Sequence, residues 1–142
     1  MKYRLRRLVA VAVTALVTTL PTNAHAAGYQ DYRSCDTTGA SGSATVIGKY
    51  RLPGGYAEER SVTLGVKDIA SDGHHVRVRL LTSRYTDLSI RYWPWRANYD
   101  GYGTAKVWET TVQDAVDGIY NVGVEVATFE GDDRLHYCTD WF

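Results

Sequence analysis

Apolar and polar residues alternate with a period of two along most of the chain, and this pattern constrains the fold more than any other feature. Over 62–66 and 122–126, valine or leucine occupies every second position. A period of two places successive side chains on opposite faces of a β-strand. Beyond the N-terminal segment, no stretch has apolar residues sustained at helical spacing. The sequence therefore predicts an all-β domain.

Turn residues divide this pattern into about seven strands joined mostly by short connections. Such a pattern favours a single antiparallel β-sandwich, immunoglobulin-like or jelly-roll-like, with a small barrel as the alternative. An Asp-Gly pair between two alternating runs predicts a hairpin at Asp72-Gly73. The predicted turns are Pro53-Gly54-Gly55, Ser71-Asp72-Gly73, Asp117-Gly118 and Glu130-Gly131-Asp132-Asp133.

The alternation also predicts which side chains face the core. For residues 104–112 the register stays open, with either Val107 or Trp108 facing inward. Residues 39–43 are small and polar and are predicted to form a flexible lead-in to the first strand. The predicted inward-facing residues of the later strands are Val76, Val78, Leu80, Leu88, Ile90, Tyr92, Tyr120, Val122, Val124 and Val126. The predicted outward-facing residues include His75, Arg77, Arg79, Ser89, Arg91 and Trp93.

The N-terminal segment has the three parts of a secretory signal peptide. Four cations lie within residues 2–7, an apolar run follows over 8–20, and Ala24-His25-Ala26 supplies the small-x-small cleavage pattern. The apolar run is too short to span a bilayer as a helix, which takes about 20 residues. The sequence thus predicts a signal peptide over 1–26 and one secreted, extracellular β domain over 27–142, with no membrane attachment after cleavage.

Two cysteines, Cys35 and Cys138, lie near opposite ends of the predicted mature chain. In an exported protein an even number of cysteines indicates disulfides, and two cysteines allow one intrachain pairing. Loss of the four N-terminal cations would reduce the 16 basic residues to 12 against 16 acidic ones, a formal charge of −4. An acidic balance without a basic run argues against nucleic acid as a partner.

The segment Val66–Val76 carries a resemblance to a known group of proteins. It reads Val-Lys-Asp-Ile-Ala-Ser-Asp-Gly-His-His-Val, a strand, a turn and the start of the next strand. In this segment the chain resembles small secreted β-rich proteins of actinomycetes. The resemblance implies secretion and a β fold, and it carries over no site residues.

The candidate binding region is the stretch 91–103, which holds five aromatic residues and two arginines. Pro94 cannot donate to a sheet ladder, so the residues after it are predicted to leave the strand as a loop. Exposed loop aromatics suit sugar rings or a protein partner. The alternative is that the rings fold back as a lid over the core. The predicted binding residues are Trp93, Trp95, Arg96, Tyr99 and Tyr102.

Two other features of the strands bear on this region. Gly65 and Gly123 are predicted on outer faces, where Trp93 or Trp108 could cover the missing side chain. Arg77, Arg79 and Arg91, with His75 nearby, are predicted to share an outer face. These arginines either engage an anionic polymer or form ordinary ion pairs with Glu58, Glu59 or Asp87.

No motif in the chain indicates catalysis, a cofactor or a metal site. The nucleophile elbow, the metalloprotease helix and the phosphate loop are missing, and the clusters Asp114/Asp117 and Asp132/Asp133 do not have EF-hand spacing. We therefore expect a monomeric, non-catalytic binding module that recognises a glycan or another component of the cell envelope. The alternative is an inhibitor of an extracellular hydrolase, anchored by Trp95-Arg96.

Overall fold

The computed structural model describes residues 29–48 and 59–142, and this part of the chain is all-β. The predicted signal peptide, the Pro53-Gly54-Gly55 turn and Glu58 lie outside the described residues. Within the described ranges, no helix is long and apolar enough to cross a membrane. The strands are β1 (Tyr29–Thr37), β2 (Ala40–Gly48), β3 (Glu59–Asp68), β4 (His75–Arg84), β5 (Ile90–Tyr92), β6 (Arg96–Asn98), β7 (Ala105–Gln113), β8 (Ile119–Glu130) and β9 (Asp133–Trp141).

The strands form two antiparallel sheets that pack as a sandwich, which confirms the predicted fold class. The four-stranded sheet has the order β1-β2-β3-β7, and the five-stranded sheet has the order β5-β4-β8-β9, with β6 also paired to β4. In the described part of the chain both sheets are open, so the barrel alternative is wrong. Strands β1 and β6 were not predicted. Strand β1 pairs with β2 through a two-residue turn at Thr38-Gly39.

The core lies between the sheets and consists mostly of small branched residues. Gly42 lies within β2 and faces the other sheet, where a Cβ atom would overlap Val126. Residues 39–43 are therefore not a flexible lead-in, because they form the turn and the first part of a buried strand. The buried hydrophobic core includes Ala44, Val46, Val62, Leu64, Val66, Val76, Val78, Leu80, Val112, Ile119, Val122, Val124 and Val126.

The Asp72-Gly73 turn forms as predicted, but it does not make a hairpin. Strand β3 pairs with β2 and β7, whereas β4 belongs to the other sheet, so the turn carries the chain across the sandwich. Asp72 accepts a hydrogen bond from the backbone N–H of His74 at 3.0 Å. The carboxylate thus stabilises the turn locally, and the pairing of β3 with β7 decides where the next strand goes.

Strand β5 presents the opposite face from the predicted one. Ile90 and Tyr92 pair with Ser83 and Leu81, which lie on the outer face of β4, and both are about half exposed. Leu88 is also exposed and has a positive φ of 58° in the hairpin loop. The prediction that Leu88, Ile90 and Tyr92 face the core is therefore wrong. A shift of one residue in the turn moves every following side chain to the other face.

The structure also corrects the predicted face of Tyr120 and settles the open register of residues 104–112. The pairing of β4 with β8 is irregular at Ser83/Arg84, so that Ile119 is buried and Tyr120 is exposed, contrary to its predicted inward position. On β7, Trp108 lies against the core and Val107 faces outward. Strand β7 pairs with β3 without a register shift, so no bulge is needed.

A disulfide between Cys35 on β1 and Cys138 on β9 joins the two sheets. Its Cα atoms are 5.9 Å apart, and the bridged residues are 103 positions apart in the chain. The predicted pairing is confirmed. The bond closes one side of the sandwich, where β1 of one sheet lies over β9 of the other.

Reduction of this disulfide is expected to destabilise the domain strongly. Closure of a loop of about 100 residues restricts the unfolded chain, and the chain-entropy model puts its contribution at up to about 4.7 kcal/mol. Thermal unfolding with and without reductant measures the effect. A double variant, Cys35→Ala with Cys138→Ala, serves as the control, because reductant should leave its midpoint unchanged. An equal midpoint for the oxidised and reduced native protein would contradict this role.

Candidate functional site

The central strand β8 of the five-stranded sheet is buried on both of its faces. Residues 122–129 of β8 are buried without interruption, although only every second one points into the sandwich. The outward-facing residues of β8 are Gly123, Glu125, Ala127 and Phe129. A layer of aromatic and arginine side chains covers them.

Guanidinium groups and aromatic rings alternate in the covering layer. The Arg79 guanidinium carbon lies 4.4 Å from the ring centroid of Tyr92 and 4.3 Å from that of Trp95. Trp95 in turn contacts Phe129 edge-on, with centroids 5.2 Å apart. Arg77 lies 4.1 Å above the same phenylalanine ring. Such cation–π contacts contribute about 0.5–2 kcal/mol each, more when water is excluded.

A buried carboxylate organises the centre of this layer. Glu125 is only 2% exposed. Its Oε2 atom lies 2.8 Å from Nε and 2.7 Å from Nη2 of Arg79, its direct neighbour across β4 and β8. Its Oε1 atom accepts a hydrogen bond from Nη1 of Arg134 on β9. A buried charge needs such partners to offset its desolvation, so Glu125 fixes both arginines in place.

Next to this ion cluster the surface forms a groove of about 360 Å³. Leu81 and Glu125 contribute to its floor, and the exposed rings of Tyr92 and Tyr137 lie on β5 and β9 at its two sides. The guanidinium carbon of Arg134 lies over the Tyr137 ring, 4.0 Å from its centroid. We call this surface the aromatic groove. The remaining lining residues are Arg79, Ile90, Thr139 and Trp141.

Trp141 covers the glycine that was predicted to lie under Trp93 or Trp108. A Cβ atom added to Gly123 would lie 2.8 Å from the Trp141 ring. The outer position of Gly123 is therefore confirmed, and the choice of tryptophan is wrong. Gly65 is also on an outer face, but its neighbours there are Ser43 and Val107 rather than a tryptophan.

The same covering layer continues to His75 and Tyr99. The His75 ring lies 4.5 Å from that of Tyr99 and 5.9 Å from that of Phe129. Nε of Arg77 donates a hydrogen bond to Nε2 of His75 at 2.9 Å, which requires the neutral imidazole. Burial lowers the pKa of His75, and the positive charge of Arg77 lowers it further.

The five predicted binding residues are divided between three places. Trp93 packs against the core and donates a hydrogen bond from Nε1 to Oγ1 of Thr82, so its predicted outer position is wrong. Trp95 is half-buried in the covering layer. Arg96 is exposed on β6, and Tyr99 and Tyr102 are 65% and 66% exposed in the following loop. The core-lid alternative for the loop rings therefore does not hold for Tyr99 and Tyr102, and Trp95 packs against Arg79 and Phe129 on the outer face of the five-stranded sheet rather than over the core.

Hydrogen bonds brace the loop that carries these tyrosines. The buried Asn98 side chain donates to the backbone oxygen of Thr104 at 3.1 Å and accepts from the N–H of Asp100 at 3.1 Å. The Gly103 N–H donates to the backbone oxygen of Asp68, at 2.9 Å. Tyr99 and Tyr102 therefore project from a loop with a defined conformation.

The predicted arginine group is only partly brought together. Arg77 and Arg79 share the outer face, whereas Arg91 lies at the sheet edge beside Trp93 and 3.6 Å from Asp114. Ion pairing occurs as one of the two predicted alternatives, but with other partners: Asp132 for Arg77 and Glu125 for Arg79. Asp87 instead accepts hydrogen bonds from Ser89.

Most residues that line the aromatic groove were not predicted as site residues, among them Glu125, Arg134, Tyr137 and Trp141. Glu125 had a sequence signal, since a single carboxylate within the run Val-Gly-Val-Glu-Val-Ala indicates a paired charge in a buried strand. The other three lie on β9, whose alternation is weak. Among the described residues, no group of three or more His, Cys, Asp or Glu side chains is arranged to hold a metal ion.

Comparison of the chain with models of protein families, with curated proteins and with solved structures finds no match. The chemistry of the aromatic groove therefore has to be inferred from its own side chains.

Replacement of Glu125 by alanine is expected to lower the free energy of unfolding by about 3 kcal/mol, since it removes the shared partner of two arginines. Chemical denaturation measures this value. The matched control is Glu130→Ala at the exposed end of the same strand, where the expected change is within about 0.5 kcal/mol. Equal losses in the two variants would mean that Glu125 does not organise the covering layer.

The free energy of unfolding is expected to decrease when the pH is lowered from 7.5 to 5.5, and protonation of His75 is one cause. Its pKa in the folded protein lies below the ordinary value of about 6.5, so the unfolded chain takes up the proton first as the pH falls. The contribution of neutral His75 to the free energy of unfolding is therefore complete above pH 6.5 and decreases below it. The lowered pKa values of Asp72 and Asp87 act only below about pH 3.8.

Urea denaturation of the native protein and of His75→Gln at both pH values tests this expectation. Glutamine keeps an acceptor for Arg77 but does not titrate, so the variant should lose less stability on acidification. The same loss in both proteins would contradict the assignment to His75.

Proposed function

We propose that this protein is a secreted, non-catalytic binding module that recognises glycans through the aromatic groove. The observation that carries the proposal is the pairing of two exposed rings with preorganised polar groups. Tyr92 is 55% exposed and Tyr137 is 58% exposed. Between them lie guanidinium groups whose positions are fixed by Glu125 and by ring stacking.

This combination fits the two kinds of surface on a sugar. The apolar C–H face of a pyranose stacks on an exposed aromatic ring, and its hydroxyl groups need donors and acceptors at defined positions. Arg79, Arg134 and Thr139 supply such groups beside the rings. The groove volume of about 360 Å³ lies within the range of about 300–1,000 Å³ found for small-ligand sites.

Rigidity also supports a binding role. Arg79 is held between Tyr92 and Trp95, and Arg134 is held against Tyr137, so little side-chain entropy remains to be lost on binding. Secretion fits the disulfide, because such bonds persist in oxidising compartments. The signal-peptide pattern of residues 1–26 points the same way.

A protein inhibitor is the second candidate, and the braced loop favours it. Tyr99 and Tyr102 are exposed on a loop whose backbone is fixed by Asn98 and Asp68. Such a loop loses little entropy when it inserts into a cleft. The predicted anchor Trp95-Arg96 is less suitable, because Trp95 is half-buried under Arg79.

Substitution of the groove tyrosines separates the two candidates. Retention of the protein on insoluble polysaccharides and titration with oligosaccharides are expected to weaken about tenfold in Tyr92→Ala and in Tyr137→Ala. Tyr102→Ala is the matched control, because it removes an exposed tyrosine of the loop and leaves the groove intact.

If Tyr102→Ala abolishes binding to a protein target and no polysaccharide retains the native protein, the inhibitor is favoured and the glycan proposal fails. Unchanged polysaccharide affinity in both groove variants would also overturn the assignment of the site. Circular dichroism and the unfolding midpoint confirm that each variant is folded.

A further inference from the structure

We infer that the aromatic groove prefers acidic saccharides, and that Arg134 binds their carboxylate groups. This inference rests on the proposed glycan-binding function and names the chemical class of the ligand. It follows from the distribution of charge within the groove.

The groove contains two cations and one anion, and the anion is hidden. Arg79 and Arg134 share Glu125, whose side chain is 3% exposed. The side chain of Arg134, by contrast, is 38% exposed. A ligand in the groove therefore meets positive charge at the surface, while the compensating carboxylate lies beneath it. This local excess contrasts with the formal charge of −4 expected for the mature chain.

Arg134 also keeps donors for a ligand. Its hydrogen bond within the described residues uses Nη1, bonded to Glu125. A guanidinium has five N–H donors in a planar fork, so several remain to bind the two oxygens of a carboxylate. Contact with the Tyr137 ring, whose centroid lies 4.0 Å from the guanidinium carbon, restricts the fork and so prepares it for bidentate binding.

Within the described residues, the salt-bridge partner of Arg134 is Glu125, and the acidic residues of the β8–β9 turn do not pair with it. Asp132 on that turn is bonded to Arg77 instead, at 3.0 Å. The excess of one positive charge in the groove matches a saccharide with one negative group per sugar. A uronic acid has this property, and its pyranose face can stack on Tyr137 or Tyr92 at the same time.

The test compares polygalacturonate oligomers with their carboxyl-reduced counterparts, which differ in the carboxyl group alone. Calorimetric titration of the protein in 50 mM salt is expected to show at least tenfold tighter binding of the acidic oligomer. Arg134→Gln should abolish this preference, so that the variant binds the acidic and the reduced oligomers with equal affinity. Arg134→Lys should keep part of the preference, because it retains the charge but loses the planar fork.

Lys67→Gln is the matched control, since it removes one exposed positive charge from the four-stranded sheet, away from the groove. Its preference should equal that of the native protein. The preference should also shrink in 500 mM salt, as expected for an exposed charge.

Equal affinity for the acidic and reduced oligomers would overturn this inference and leave the proposed function standing. Binding of neither oligomer would overturn both. Tighter binding of dextran sulfate than of polygalacturonate, unchanged in Arg134→Gln, would indicate general attraction of polyanions and would likewise overturn the role of Arg134.

Discussion

The structure depends on the burial of β8 from both sides. A central strand with one face in the sandwich core and the other under a second layer loses contact with water along eight residues, 122–129. Any polar side chain on its outer face must then find its partners within the protein. Glu125 meets this requirement with two arginines, and the rings of Tyr92, Trp95 and Tyr137 hold those arginines in place. The aromatic groove is therefore a consequence of the way in which one buried charge is accommodated.

This arrangement explains how flexible side chains form a defined surface. Arginine normally loses substantial rotamer entropy when it is fixed, and a surface ion pair contributes little in return. In this sheet the arginines lose their rotamer entropy already when the protein folds, because they cover apolar surface and neutralise Glu125. A ligand in the groove, as proposed above, would then meet groups that are already ordered. The Asn98–Thr104 loop reaches the same state differently, through backbone and amide hydrogen bonds rather than charge.

The sequence is sufficient to predict the fold class, the disulfide and the inward faces of β3, β4 and most of β8, since these follow from alternation and from cysteine count. It is not sufficient to predict the connections. Asp72-Gly73 has the residues of a hairpin, yet the chain crosses between sheets there, because long-range pairing of β3 with β7 outweighs local turn preference. The faces of Tyr92 and Trp93 depend on the loop after Arg84, where Leu88 adopts a positive φ that its residue type does not indicate. A one-residue error at that loop reverses the two faces.

The site was harder to predict than the fold for a different physical reason. The high local density of aromatic residues over 91–103 led to the prediction of a binding region there. Neighbouring residues on a strand, however, point to opposite faces. Trp93 packs against the core and Trp95 contacts Arg79. The exposed tyrosine of that edge, Tyr92, lines a groove together with Tyr137, which is 45 positions further along the chain. Alternation treats a polar residue as one that faces water, and this assumption fails at Glu125. A lone charge within an apolar run is therefore better interpreted as a sign that its partners come from other strands. For Glu125 those partners are Arg79 on β4 and Arg134 on β9, and both line the aromatic groove.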